Sequence, residues 1–144
     1  MNNSPDPQLE YLRVPPHSVE AEQSVLGGLL LDNGAWERVT DVVNEDDFYR
    51  FDHRLIWHHI ARLVNLSRPA DVVTVNESLA SVGKSEEVGG LSYLNALAHN
   101  TPSAANIRRY AEIVRERSML RKLVTVADEI AATAFNPQGK EARQ

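Results

Sequence analysis

The first residues that could do chemistry are Gly83-Lys84-Ser85, which end like a phosphate-binding P-loop. A P-loop has the pattern G-x-x-x-x-G-K-[ST] and follows a strand, so that its backbone N–H groups can cradle a phosphate. Here Ser78 occupies the position of the first glycine, and the residues before Gly83 have the pattern of a helix. We therefore predict a helix C-terminal cap followed by a solvated lysine, and no cofactor site in this chain.

The five histidines are poorly spaced for a metal site. His53 and His58 lie five residues apart and His58 and His59 are adjacent, whereas two ligands on one helix face need a spacing of four. The absence of cysteine excludes disulfides and thiolate ligands, and there is no G-x-S-x-G nucleophile elbow. We predict no metal site and no catalytic residue, with the histidines at the surface or half-buried, completing hydrogen bonds of their helices.

A basic run lies in the last third of the chain. Its members are Arg108, Arg109, Arg115, Arg117, Arg121 and Lys122, accompanied by Glu112 and Glu116. The spacing of Arg108, Glu112 and Arg115 suits intrahelical ion pairs, whereas Arg117 and Arg121 would repel each other on a continuous helix. A solvated face, contact with a protein partner and direct DNA contact all remain open. DNA contact is the least favoured, because no aromatic stacking platform accompanies the charge and the whole chain carries a net charge of −5.

Length and composition indicate one domain with short tails. The chain has 144 residues, of which 42% are hydrophobic, so it can bury a sizeable core. No apolar run approaches the roughly 18 residues that a membrane span needs, and residues 1–13 lack the pattern of a signal peptide. We expect a cytoplasmic protein with no membrane contact and a flexible arm over residues 1–13.

Turn and capping residues divide the chain into about seven helices, with almost no strand, which predicts an all-α fold. The first helix follows Pro15-Pro16 with Ser18 as its N-cap, and Gly27-Gly28 inside it indicates a close approach of another helix. Asp52 is the predicted cap of the third helix, and Thr74 with Glu77 forms a predicted capping box for the fourth. Asp32-Asn33-Gly34 ends the first helix, and a second begins near Ala35. Gly83 ends the fourth helix, and a short helix follows Gly89-Gly90.

The last section, from Ala104 to Ala134, contains no Gly or Pro. One helix of that length would span about 46 Å at 1.5 Å per residue, so it must fold back as a hairpin or project from the body. The apolar pattern weakens at 115–118, which predicts a hairpin over residues 101–136, with 137–144 starting a linker. Its open apolar face would mark a partner surface.

Six segments, in this order, resemble the N-terminal domain of DnaB-type bacterial replicative DNA helicases of the proteobacterial type. They are PPHSVEAEQSVLGGLLLD at 15–32, DDFYR at 46–50, HRLIWHHI at 53–60, DVVTV at 71–75, VGGLSYLNAL at 88–97 and NTPSAANIRRYAEIVRERSMLRKL at 100–123. The resemblance implies a helical globular subdomain over 14–100, a protruding helical hairpin over 101–136, and a linker into an ATPase domain that this sequence lacks.

The resemblance also implies a role. In this family the hairpins pair subunits, the N-terminal domains form a collar on a hexameric ATPase ring, and the collar receives the C-terminal domain of primase. ATP and Mg²⁺ belong to the motor domain, so this chain alone is expected neither to hydrolyse ATP nor to unwind DNA, and to bind little DNA directly. A purely structural scaffold, or a docking site for a helicase loader in place of primase, are the alternatives.

Two groups of interface residues follow from the resemblance. Val124 and Ile130 match apolar family positions implicated in primase contact, and Tyr93 matches a position that affects it, although a core aromatic is an equal interpretation of Tyr93. The candidates for primase contact are Arg117, Arg121, Val124, Ile130 and Tyr93. The candidates for subunit pairing, or for packing inside the hairpin, are Ile107, Ala111, Val114 and Leu120.

Overall fold

The computed structural model describes residues 14–136, which form six α-helices, three short 3-10 helices and no strand. The α-helices are α1 Val19–Leu31, α2 Trp36–Val39, α3 Phe51–Asn65, α4 Val72–Ser81, α5 Gly90–His99 and α6 Ile107–Phe135. The 3-10 helices are Asn33–Ala35, Glu45–Asp47 and Glu86–Val88. The predicted all-α class is confirmed, while the predicted arm (1–13) and linker (137–144) lie outside the described residues.

Helix α1 is the centre of the fold and contacts α3, α5 and α6. Its start is the predicted one, because the Ser18 hydroxyl accepts a hydrogen bond from the Ala21 N–H at 3.2 Å. Gly27 and Gly28 are buried, and a Cβ on Gly27 would collide with the Leu97 carbonyl and the Thr101 hydroxyl. A Cβ on Gly28 would lie 2.9 Å from the Ile107 side chain, so the predicted close approach is confirmed on both sides of α1.

Two predicted helix caps are wrong, one by two residues and the other by three. Helix α3 begins after Arg50, and Asp52 lies inside its first turn, paired with Arg50. Helix α4 begins after Asp71, whose carboxylate accepts from the Thr74 N–H at 2.9 Å, while Thr74 accepts from the Asp71 N–H. The earlier start gives α4 an acidic cap of its own, so the predicted pairing of Thr74 with Glu77 is not needed.

An aromatic cluster lies between α2, the 3-10 helix Glu45–Asp47 and α3. The ring centroids of Trp36 and Trp57 are 4.7 Å apart, and those of Phe48 and Trp57 are 5.3 Å apart. Phe48 and Trp57 are buried, so this cluster anchors the turn around Asp47 to the body.

Helix α6 is a single helix of 29 residues, about 43 Å long at 1.5 Å per residue. It runs without a break through residues 115–118, so the hairpin predicted from that weak point is wrong for the described residues. The polar interruption has another cause, because Ser118 is buried and its hydroxyl is bonded to the Asp47 carboxylate at 2.7 Å. The helix therefore projects from the body, which is the other arrangement that its length allowed.

Candidate partner-binding surface

The first part of α6, residues 107–118, packs on the globular body, and we call it the packed half. Its buried residues are Ile107, Ala111, Val114 and Ser118, with spacings of four, three and four that place them on one face. This face lies against α1 and α2. The side chains of Ile107, Ala111 and Val114 are 0–1% exposed. The three are therefore core residues of this chain, and their pairing with a second subunit stays a prediction that this burial does not favour.

The second part of α6, residues 119–135, leaves the body, and we call it the projecting half. Every residue in it is exposed except Arg121. Leu120, Val124, Ala127, Ala131 and Ala134 follow one another at spacings of four, three, four and three, with Leu123 and Ile130 beside them. Leu123 and Ile130 are 64% and 65% exposed. The projecting half therefore carries an apolar stripe with the spacing of a coiled-coil seam.

The apolar stripe does not continue the face that packs on the body. At 100° per residue, the stripe from Leu120 to Ala134 lies roughly opposite the face formed by Ile107, Ala111 and Val114. The body-facing row continues into the projecting half with Arg121, Thr125 and Asp128, which are polar. The change of face occurs next to Ser118, and this change explains the weak point in the sequence pattern.

A cluster that we call the clasp holds α6 to the body where the two halves meet. The Arg121 guanidinium donates to the Pro16 carbonyl at 2.8 Å and to the Asp47 carbonyl at 2.7 Å. It also lies over the Tyr49 ring at 5.4 Å, which favours a cation–π contact. Ser118 completes the clasp through the Asp47 carboxylate. The clasp fixes the direction in which the projecting half leaves the body.

The primase contact predicted for Arg121 stays a prediction, and the structure shows that this residue also has a role within the chain. Partial burial lowers the pKa of the Arg121 guanidinium, which nevertheless stays charged because the ordinary pKa of an arginine lies far above neutral pH. Its charge is offset by two carbonyl oxygens and an aromatic face. The guanidinium is thus engaged by the body and is not presented freely to a partner.

Beside the clasp lies a buried chain of hydrogen bonds through Glu22, His53 and Tyr93. The Glu22 carboxylate is 2.8 Å from His53 Nδ1 and accepts from the Tyr49 N–H at 2.8 Å. His53 Nε2 is 2.6 Å from the Tyr93 hydroxyl, which also accepts from the Gln23 amide at 3.2 Å. Glu22 and His53 are at most 1% exposed. His53 is therefore a buried network residue, and its predicted surface or half-buried position is wrong.

The hydrogen-bond chain from Glu22 through His53 to Tyr93 has the residue order of a catalytic triad, but its hydroxyl is not activated as a nucleophile. Burial raises the pKa of the Tyr93 hydroxyl, which is the opposite of what a nucleophile needs. Tyr93 is half-buried, its ring is stacked on His53, and Arg50 lies over it at 5.6 Å. Its exposed part borders a shallow cleft between α1 and α5 that Glu20, Gln23 and Asn100 also line. The arrangement joins α1, α3 and α5 and leaves part of the Tyr93 surface open.

Sequence reasoning missed this network because its members lie 31 and 40 residues apart. One signal was available. Glu22 lies one residue after Ala21 and four residues after Ser18, the N-cap of α1. In the structure this position is on the buried side of the helix. A carboxylate on the buried side of a helix needs a buried partner, because an unpaired charge there is costly.

Contacts within the chain use most of the basic run. Arg108 pairs with Asp41 at 3.2 Å, Arg109 with Glu116 at 3.4 Å, and Arg115 donates to the Val42 carbonyl. The predicted pairs of Glu112 with Arg108 and Arg115 do not form, because these two arginines make tertiary contacts. Arg109 pairs within α6 and lies 4.0 Å from Glu112. Arg117 and Lys122 form no ion pair with any described residue. The run is thus chiefly a means of docking the packed half.

Among the other chemical candidates, Gly83 lies after a helix with φ of 72°, as the predicted C-terminal cap requires. Lys84 pairs with Glu87 at 3.1 Å, so this segment does not fit a phosphate cradle. Within residues 14–136 no cluster of side chains could hold a metal ion. The same residues include no helix both long and apolar enough to cross a membrane.

Three comparisons place these features among known proteins. The family model for the DnaB-like helicase N terminal domain matches residues 14–116. Replicative DNA helicase DnaB of Haemophilus influenzae is 45% identical over 138 residues, which covers 96% of this chain and 30% of that protein. The crystal structure of the N-terminal domain of DnaB helicase from Mycobacterium tuberculosis matches with a TM-score of 0.82 and 38% identity, over 85% of each chain.

A third relative shows the same fold at lower identity. The N-terminal domain of DnaB helicase from Helicobacter pylori matches with a TM-score of 0.69 and 24% identity, over 91% of this chain and 99% of that one. The chain spans about 30% of the length of the curated relatives it matches. The comparisons confirm the family resemblance that the six sequence segments predicted.

Proposed function

This chain belongs to the DnaB-like helicase N-terminal domain family, and on that premise we propose that it mediates subunit association and primase docking in a replicative DNA helicase. The observation that carries the proposal is the apolar stripe of the projecting half, from Leu120 to Ala134. An exposed apolar surface of this kind on one helix is typical of a partner interface.

The spacing of the stripe supports association of helices. Alternating steps of three and four residues keep a seam on one side of a helix, and the alanines at 127, 131 and 134 let a second helix approach closely. We propose that Leu120, Leu123 and Val124 pair with an equivalent helix of a second subunit, giving a dimer or a larger ring. The subunit-pairing role expected for Leu120 is retained, and the three core residues of the packed half are left out.

Sedimentation velocity across a range of concentrations tests this association. Leu123→Asp places a charge in the stripe, and Thr125→Asp places the same charge on the polar side of the same helix, two residues away. We expect the wild-type chain and Thr125→Asp to associate with rising concentration and Leu123→Asp to remain a monomer. Equal behaviour of the two variants would contradict a seam along the stripe.

The partner proposal follows from a relative. The Helicobacter pylori domain was described together with its interactions with primase. We propose that primase docks on the projecting half through Val124 and Ile130, with Arg117 beside them and the open edge of Tyr93 as a secondary contact. Val124 is 48% exposed and Ile130 65%, so both side chains are accessible to a partner.

Calorimetric titration with the C-terminal domain of primase tests the docking. Ile130→Asp is expected to weaken binding by about tenfold or more, since a charge in the centre of an apolar contact costs at least 1.4 kcal/mol. Asp128→Asn, on the polar side of the helix, serves as the control and should bind like the wild type. Saturable binding that Ile130→Asp leaves unchanged would contradict this site.

We further propose that the whole protein unwinds DNA at the replication fork in the cytoplasm, with ATP and Mg²⁺ bound by a motor domain outside this chain. On this proposal the chain itself has no ATPase activity, since Gly83-Lys84-Ser85 follows a helix and Lys84 pairs with Glu87. ATP turnover by the purified chain should equal the buffer background. Turnover that Lys84→Ala abolishes would contradict this assignment.

A further inference from the structure

A second surface, at the C-terminal end of α3, has the apolar lining and the charged borders of a peptide-binding groove. It lies between the C-terminal end of α3 and α4, and none of its lining residues belongs to α6. Its apolar lining is formed by Leu63, Leu66 and Pro69, and two arginines, Arg62 and Arg68, border it. The primase and subunit contacts proposed above do not use this groove.

The two arginines carry charge that the body does not neutralise. Neither Arg62 nor Arg68 forms an ion pair with a described residue, although the chain as a whole is acidic. The only hydrogen bond from either guanidinium to a described residue is a long one, from Arg62 to the Ser78 hydroxyl at 3.5 Å. Ser78 is itself bonded to His59 at 2.7 Å. The donors of both guanidinium groups are thus available to an acceptor from outside.

The positive charge of the groove comes from the arginines alone. His59 lies behind the groove, and burial, followed by the neighbouring charges of His58 and Arg62, lowers the pKa of its imidazole. It is therefore neutral near pH 7. Glu77 is the one acidic residue among the lining residues, so a slight excess of positive charge remains.

The wall of the groove that carries Arg68 is held in a fixed conformation. Ser67 adopts a left-handed backbone with φ of 57°, a conformation that usually requires glycine. The Arg68 N–H donates to the Leu63 carbonyl at 2.9 Å and closes the end of α3. Asn33 then anchors Ala70 through two hydrogen bonds, of 2.8 and 2.9 Å, to its backbone N–H and carbonyl. Such a preformed wall lowers the entropy cost of binding a ligand.

We propose that this groove binds a short acidic peptide segment of a partner protein. One large apolar side chain of the peptide packs against Leu63, Leu66 and Pro69, and two carboxylates flanking it pair with Arg62 and Arg68. A guanidinium takes a carboxylate in a two-point contact, which gives such a segment both affinity and orientation. A nucleic acid fits less well, because no aromatic ring lines the groove for base stacking.

The probe for the test is a fluorescein-labelled peptide of sequence Gly-Asp-Glu-Leu-Phe-Asp-Glu-Gly, followed by anisotropy. Two control peptides carry either Asn and Gln in place of the acids or Ala-Ala in place of Leu-Phe. Arg62→Glu and Arg68→Glu are compared with Lys122→Glu, a charge reversal on the projecting half. All three side chains are exposed, and circular dichroism checks that each variant is folded.

We expect saturable binding of the acidic peptide, weakened about tenfold by Arg62→Glu and by Arg68→Glu and abolished by both together. Lys122→Glu should bind as the wild type does, and both control peptides should bind weakly. Binding that survives both reversals, or that the neutral peptide reproduces, would overturn the proposal.

Two further outcomes would assign the groove to another occupant. A single-stranded oligonucleotide that displaces the peptide and loses affinity in both variants would replace the peptide by nucleic acid. A concentration-dependent dimer that Arg62→Glu dissociates would replace it by a second copy of the chain. Neither result bears on the stripe of the projecting half, so this test is independent of the proposed primase and subunit contacts.

Discussion

The two halves of α6 each carry an apolar side, and the surroundings of those two sides are opposite. In the packed half, Ile107 and Val114 are 1% exposed, whereas in the projecting half Leu123 and Ile130 are more than 60% exposed. One helix therefore serves two purposes, because the apolar side changes near Ser118 from the face that meets the body to the opposite face. The comparison teaches that apolar content does not assign a helix to the core, and that the face on which the apolar residues lie does.

The largest expected effect comes from placing a charge in each half of α6. Val114→Asp buries a carboxylate in the core and should lower the free energy of unfolding by about 4 kcal/mol or more. Val124→Asp puts the same group on the exposed stripe and should change the free energy of unfolding of the monomer by less than about 0.5 kcal/mol. Urea unfolding at a low protein concentration measures both. Similar losses in the two variants would show that the projecting half is part of the core.

A smaller effect is expected where the packed half meets α1. In Gly28→Val the added Cβ would lie 2.9 Å from Ile107, so α6 must shift away from α1. We expect the free energy of unfolding to fall by about 2 kcal/mol, the usual cost of overpacking. Thermal unfolding measures the change. Gly34→Ala, at an exposed position, is the control, and equal midpoints for the two variants would contradict the close approach.

The clasp should matter less for stability and more for the direction of α6. Arg121→Ala removes two hydrogen bonds to carbonyl oxygens, which we expect to lower the free energy of unfolding by about 1 kcal/mol, since the guanidinium is partly exposed. Amide hydrogen exchange should accelerate around residues 118–125 and not in α5. The matched variant Lys122→Ala should leave exchange unchanged. Faster exchange in both variants would mean that the clasp has no specific role.

An effect of the same small size is predicted for the buried network. Tyr93→Phe leaves His53 Nε2 without its hydroxyl partner, at a cost of about 1 kcal/mol. Circular dichroism during urea unfolding measures the change in the free energy of unfolding. Tyr110→Phe, on the packed half, is the control. The Tyr110 ring is half-buried, and its hydroxyl forms no hydrogen bond with a described residue. A larger loss in Tyr110→Phe would contradict the role of the network.

What the sequence could predict depended on the range of the interactions. Local signals predicted the Ser18 cap and the cap at Gly83, since each depends on residues within a few positions. The pair Gly27-Gly28 indicated a close approach but not its distant partners, Leu97, Thr101 and Ile107. The pairing of Glu22 with His53 and the bonds of Arg121 to Pro16 and Asp47 join distant segments, so spacing along the chain does not contain them.

The course of α6 was missed for a related reason. Two apolar halves joined by a polar step at 115–118 suggest two helices that face each other. Within these polar residues, the Ser118 hydroxyl is instead hydrogen-bonded to the Asp47 carboxylate, and Asp47 lies 71 residues earlier in the sequence. A comparison of which face is apolar in each half, rather than how apolar each half is, would have favoured one continuous helix with two surfaces.

The most direct test of the account is the footprint of the primase C-terminal domain on this chain, mapped by amide hydrogen exchange at saturating primase. We predict that exchange slows in residues 119–135 and is unchanged in residues 107–118, since the packed half is already covered by the body. Protection confined to the globular body, with residues 119–135 exchanging as in the free chain, would contradict the assignment of the projecting half as the partner-binding surface.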